Sequence, residues 1–293
     1  MISHPQQNPA VKQISLYAQA IGKELSDVEK ASGLEPLHRM RIGSRRLRAS
    51  LKVFKKLFPK SLLKNWQVVL RTLGRSLGKA RELDTQIYFL NSSLFSTSDP
   101  ELRYGKEKLT RILGKNRNTA QKEIGIILNK IKNNQDLFAP ACFAENIQHL
   151  PLPSAAEIKK CLKKRIRAIY IFNKEIFDPY KIQELHQTRI AVKKLRYTIE
   201  VINDTYRKKF SRYISSAKAV QDLLGDIHEL DVWLLMLPGI CKADNKDKRL
   251  IRTCNFIAKK CFKQRKNKFR KFISLWKTQK KRKIWDSLLR EAS

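Results

Sequence analysis

The chain has 293 residues, 42% of them hydrophobic, with 62 Lys and Arg against 26 Asp and Glu and a formal charge of +36. Its hydrophobic share excludes a disordered chain, and its length allows one large domain or two of ordinary size. The charge says nothing of fold but selects polyanionic partners: nucleic acid, an anionic membrane surface or a phosphate polymer.

Glycine and proline are scarce, at 10 residues each, and strand-like alternation is hard to find. The pattern predicts an all-α protein. In chain order, helices are expected over residues 10–30, 36–57, 60–91 and 101–132, then over 155–176, 182–205, 207–237 and 246–288. Pro36 and Pro59 mark helix starts, since the first helical turn tolerates proline. The segment FSTSDP, residues 95–100, supplies turn and cap residues before the fourth helix. The richest interruption covers residues 133–154, with three prolines and poor periodicity. The division expected is a first repeat over 1–140, a linker over 141–154 and a second repeat over 155–293. Four helices on each side read as two four-helix bundles.

The segment MISHPQQNPAVKQ lacks a basic region followed by an apolar core, and the longest apolar run, Val232 to Leu237, is too short to span a bilayer. Five cysteines (Cys142, Cys161, Cys241, Cys254 and Cys261) form no C-x2-C pair. That argues for free thiols in a reducing compartment rather than a zinc site. A soluble, cytoplasmic protein is expected, with no metal and no cofactor.

Two stretches repeat. LHRMRIGSRRLRASL, residues 37–51, aligns with LHQTRIAVKKLRYTI, residues 185–199, at an offset of 148; LGKARELD, residues 77–84, aligns with LGDIHELD, residues 224–231, at 147. Two unrelated motifs repeated in one order at nearly one offset indicate an internal duplication. On a helical wheel His38, Arg41, Arg45, Arg48 and Lys52 fall within about 80° of one another. His186, Arg189, Lys193 and Arg196 make the same stripe, and Arg46 aligns with Lys194 beside it. Leu37, Met40, Leu47, Leu51 and Phe54 form the neighbouring core face, as do Leu185, Val192, Leu195, Ile199 and Ile202.

Residues 38–58 contain no acid, whereas ordinary solvated helices intersperse Glu with Lys to relieve repulsion of a few tenths of a kcal/mol per pair, roughly. Arginine presents a planar fork to phosphate oxygens and stays charged. A histidine one turn earlier can donate to the same anion, more strongly when protonated. Glu200 is placed to tether Arg196 one turn away. Gly78 and Gly225 interrupt helical patterns, which suggests close approach of another helix. Asp84 and Asp231 are expected to pair with the cationic stripe, and Arg81 to add a phosphate contact that His228 replaces in the second copy.

His-x-x-Arg followed by Arg-Arg-Leu-Arg, then Leu-Gly-x-x-Arg-x-Leu-Asp, twice in one chain, resembles the CHAD family, the conserved histidine α-helical domain. The Leu195–Tyr197 and Glu200 pattern is close to the family's second copy. The resemblance runs from about residue 10 to about 285. It implies two four-helix bundles related by pseudo-twofold symmetry, with a basic groove or pore between them. It further implies binding of inorganic polyphosphate through the motif His, Arg and Lys residues, and association with polyphosphate granules and their proteins. The E-x-E-x-K signature of the CYTH triphosphatase that some members carry is missing, so a stand-alone domain is expected.

No G-x4-G-K-[ST] loop or carboxylate cluster equips the chain for phosphoryl transfer, so a non-catalytic binder is expected. The alternative partner is nucleic acid. Lys242 to Lys283 hold 18 Lys and Arg with Phe256, Phe262, Phe269, Phe272 and Trp276 interleaved, and aromatics among cations can stack on bases. Helical spacing of the last four favours packing on the bundle instead.

Overall fold

The computed structural model describes residues 8–133 and 150–292. Ten α-helices occur among them and no strand: α1 Pro9–Lys23, α2 Leu25–Glu29, α3 Leu34–Val53, α4 Lys60–Leu90, α5 Pro100–Asn133, α6 Ala155–Ile169, α7 Ile182–Tyr206, α8 Ser211–Ala243, α9 Lys248–Lys281 and α10 Ile284–Glu291. Most of the proposed linker, residues 141–149, and Cys142 lie outside the described residues.

Helix boundaries follow local chemistry. Asn8 caps α1 by accepting from the backbone N–H of Ala10, and its amide donates to the Leu150 carbonyl at 2.9 Å. Ser154 and Glu157 form a reciprocal capping box at the start of α6. Asp247 caps α9 through the Leu250 N–H. Four expected boundaries need correction; the fifth helix, expected over 155–176, ends at Ile169. The first helix breaks at Glu24, where α2 begins. The seventh does not stop before Pro238 but runs through it to Ala243, doing without one N–H. The last is two helices, parted where Lys283 takes φ 48° in the left-handed region.

Packing is set by the apolar faces. Each of the ten core-face positions read from α3 and α7 is buried, Met40, Leu51, Val192, Leu195 and Ile199 completely. α3 packs on α1, α4 and, across the molecule, on α7; α7 packs likewise on α6 and α8. α5 lies against α4 and α9, and α9 against α8. The buried residues form two clusters, each drawn from both halves of the chain; the smaller joins Leu90, Phe95, Leu109 and Leu113 to Trp233, Leu237 and Cys254. Where α5 crosses α9, Gly105 meets Thr253 so closely that a Cβ there would lie 2.1 Å from the Thr253 hydroxyl. Among the described residues no helix is long and apolar enough to cross a membrane, and Cys161, Cys241, Cys254 and Cys261 are free thiols.

Candidate anion-binding cleft

The contact between α3 and α7 brings the two basic stripes together. They line a cleft of 720 Å³. α3 contributes Arg41, Arg45, Arg48 and Lys52; α7 contributes His186, Arg189, Lys193 and Lys194. Thus eight of the twelve residues singled out in the sequence reach one cavity. Arg75 and Lys79 of α4 and Arg165 of α6 complete the wall, and Glu82 is its sole carboxylate. Those three cations escaped the sequence reading. Arg75 and Lys79 sit one turn apart beside Gly74 and Gly78, a spacing a helical wheel would have flagged. Arg165 lies in a basic helix without a repeated partner and gave no signal.

The other four residues lie elsewhere. Arg46 and Arg196 converge on Glu200, at 3.4 and 2.8 Å, and stack over Tyr17 and Tyr197. The expected Arg196–Glu200 tether is therefore present, and it occupies that cation. Arg81 lines a smaller chamber beside the cleft. His38 lines neither cavity, and its buried Nδ1 has no hydrogen-bond partner.

Two structural readings of the LG…ELD motif are corrected. Asp84 and Asp231 pair not with the stripe but with the last long helix of each half: Asp84 with Arg117 of α5 at 2.7 Å, Asp231 with Arg265 of α9. Gly78 and Gly225 are not sites of helix contact. A Cβ at Gly78 would meet nothing within 4 Å, and one at Gly225 only the Arg189 Nε at 3.9 Å. Gly78 instead forms part of the cleft wall.

The cleft is electrostatically unanswered. Of its ten Lys and Arg, only Lys79 is in an ion pair among the described residues, with Glu123 at 2.7 Å. The buried Nε atoms of Arg41, Arg165 and Arg189 have no partner. Burial and then neighbouring cations push the basic groups down: Lys193 to about 6, Lys52 to about 8 and Arg41 to about 9. Arg41 so shifted remains a cation at neutral pH. Arg48, Arg189 and Lys194 move the same way, burial leading. His38 and His186 are held below the ordinary imidazole value by burial and adjacent arginines, and His228 falls to about 4. The motif histidines therefore stand neutral at pH 7 and can offer one N–H each. His186 and His228 face each other Nδ1 to Nδ1 at 3.1 Å, which requires one to donate and the other to accept.

The fold defines an all-helical domain in which two His-Arg helices pack face to face. Comparison with protein families matches the CHAD domain over residues 13–238, most of the chain. The chain belongs to the CHAD family. Among solved structures, a crystal structure of the CHAD domain from the plant Ricinus communis matches with a TM-score of 0.66 at 21% identity, over 92% of this chain and 90% of that one. PptA from Streptomyces chartreusis matches with a TM-score of 0.63 at 12% identity, over 94% and 100%. Both likenesses are of fold. No curated protein matches the chain.

Proposed function

We propose that the protein binds inorganic polyphosphate, without turning it over, in the cleft between α3 and α7. The carrying observation is that ten Lys and Arg line one cavity and, among the described residues, nine of them have no acidic partner, whereas Arg46, Arg117, Arg196 and Arg265 outside it are all paired. Leaving like charges desolvated and unpaired is costly, and an anionic ligand offsets that cost. Polyphosphate presents only phosphate oxygens, so recognition rests on charge and spacing, which two rows of forked and pointed cations supply. The family's link to polyphosphate binding agrees. The same reading places the protein in the cytoplasm, where polyphosphate granules and their proteins are its associates.

The cleft is further read as the groove between two duplicated four-helix units. Pairs of positions at the repeat offset support this. Asp84–Arg117 recurs as Asp231–Arg265, and Arg41 and Arg189 stand on opposite walls. Gly105 and Thr253, themselves 148 residues apart, touch each other, as equivalent residues on a twofold axis must.

Nucleic acid is the competing polyanion. Of the five aromatics in the basic C-terminal stretch, Phe272 and Trp276 are buried, and Phe256 and Phe269 pack partly against the core. Only Phe262 is exposed, at 57%, so no row of stacking platforms faces solvent. The test is binding to long-chain polyphosphate and to single- and double-stranded nucleic acid at one salt concentration, repeated with Arg45, Arg48, Lys193 and Lys194 changed to Ala. A preference for polyphosphate that the changes abolish is expected. Equal binding to all three polymers, or retention after the changes, refutes the proposal.

A further inference from the structure

The chamber beside the cleft differs from it in chemistry. It measures 110 Å³ and lies between α4 and α8, about three or four water volumes, enough for one phosphate group and too small for a length of polymer. It shares Arg41, Glu82, Arg189 and His228 with the cleft lining, so it lies directly beyond them, at the Arg41 end of the cationic file. The cleft offers donors almost exclusively. To the shared Glu82 carboxylate the chamber adds further acceptors, the Glu229 carboxylate and Gln86, with neither glutamate in an ion pair among the described residues. Gln86 is only 7% exposed, and its Oε1 has no hydrogen-bond partner. Arg41, Arg81 and Arg189 supply donors in the same space. A site that mixes three guanidiniums with unpaired carboxylates and an orphaned amide oxygen needs a ligand that both accepts and donates.

Polyphosphate has such a group only at its ends. An internal phosphate carries one strongly acidic oxygen and no hydroxyl at neutral pH, so it accepts only. A terminal phosphate has a second, weak acid function, titrating at about 6 as in a phosphomonoester. It therefore retains a P–O–H for part of the time, and a nearby carboxylate or amide oxygen can take that hydrogen bond. Internal units have no hydrogen to give Glu82 and Glu229 and are repelled by those carboxylates, so they can use only the arginines of the chamber. We infer that the cleft holds polyphosphate end-on, with internal phosphates along the α3 and α7 cations and the terminal phosphate in the chamber, where its hydroxyl donates to the acceptors set by Glu82, Gln86 and Glu229. This rests on the polyphosphate reading of the cleft and adds which part of the polymer is recognised.

The experiment compares linear polyphosphate of one defined length with the same polymer esterified at both ends, by calorimetry on the full chain. The free-ended polymer should bind about tenfold or more tightly, the worth of one hydrogen bond to a charged group. Glu82→Leu and Gln86→Leu should reduce that ratio to near unity, since each removes an acceptor oxygen. The sign is informative, because removing the Glu82 charge would strengthen any purely electrostatic binding. If Glu82→Leu tightens both polymers and leaves their ratio unchanged, the end-on assignment is wrong. Equal affinity of the two polymers for the unaltered protein also overturns it, while leaving polyphosphate as the ligand. No binding of either polymer overturns the underlying reading instead. Circular dichroism and melting of both variants guard against misfolding, and Glu229→Leu provides an independent removal of one acceptor.

Discussion

Lys193 concentrates the chemistry of the cleft. Burial, then Arg45, Arg189, Arg41 and Arg48, lowers its ammonium to about 6, so in the empty cleft it is largely neutral above pH 7. A polyanion laid beside it favours the charged form again. Binding at about pH 7.5 should therefore take up about one proton from this group, with a smaller share from Lys52. Calorimetry in buffers of different ionisation enthalpy reads the uptake directly, and Lys193→Met should diminish it. Uptake unchanged by that substitution would remove Lys193 from ligand contact. The same variant should weaken polyphosphate binding about tenfold and, below about pH 6 where the buried ammonium is charged, raise the melting temperature of the free protein. At this scale the sequence was informative where repetition at a fixed offset picked out one helix face. It placed Glu200 one turn from Arg196 but could not bring Arg46 to the same carboxylate, because only the fold joins them. The one-turn spacing of Arg75 and Lys79 was there to be read, whereas Arg165, whose sole link to the stripe is tertiary, gave no signal.

Among the elements, the glycines separate packing from function. Gly105→Ala forces a Cβ to 2.1 Å from the Thr253 Oγ1 and 2.6 Å from its Cβ. Overpacking of this kind costs about 1–3 kcal/mol, and denaturant melts should recover part of it in the double variant with Thr253→Gly. A Gly105→Ala protein as stable as the parent would disprove the close α5–α9 crossing. Gly78→Ala is predicted to behave oppositely. Its Cβ meets open space, so the helix gains roughly 0.5–1 kcal/mol, while the added methyl narrows the cleft and weakens ligand binding. The Asp231–Arg265 pair fastens α9 to α8 with both side chains buried; Asp231→Ala leaves a buried guanidinium and should cost about 3–5 kcal/mol, read as a large drop in melting temperature. Helix identities were legible because the apolar period of each long segment is unbroken. The breaks at Glu24 and Lys283 were not, since neither residue is a breaker by composition, and the helix expected to end at residue 237 runs on through Pro238.

For the whole molecule, the lowered values of Lys193, Lys52, His186 and His228 act in one direction. Each group binds its proton less readily folded than unfolded, so the unfolded chain holds more protons over the window from about pH 4 to 10. Stability therefore rises with pH across it and is lost as pH falls through the folded values. Melting of the free protein at low salt should climb from about pH 5 to 9, and saturating polyphosphate should flatten the slope; a melting temperature that falls over that range contradicts the account. Binding should also weaken steeply with added salt as counterions compete, and a flat salt dependence would speak against a cleft of this charge. Arg41 and Arg189 meet across one cavity although 148 residues separate them in the chain. During synthesis the first cationic file thus emerges long before its counterpart, and in that interval it is an open basic helix that any polyanion, RNA included, can occupy. Concavity arrives only when α7 docks, so on the proposed function discrimination among polymers would be acquired late in synthesis and forfeited by any cleavage that lets the halves part.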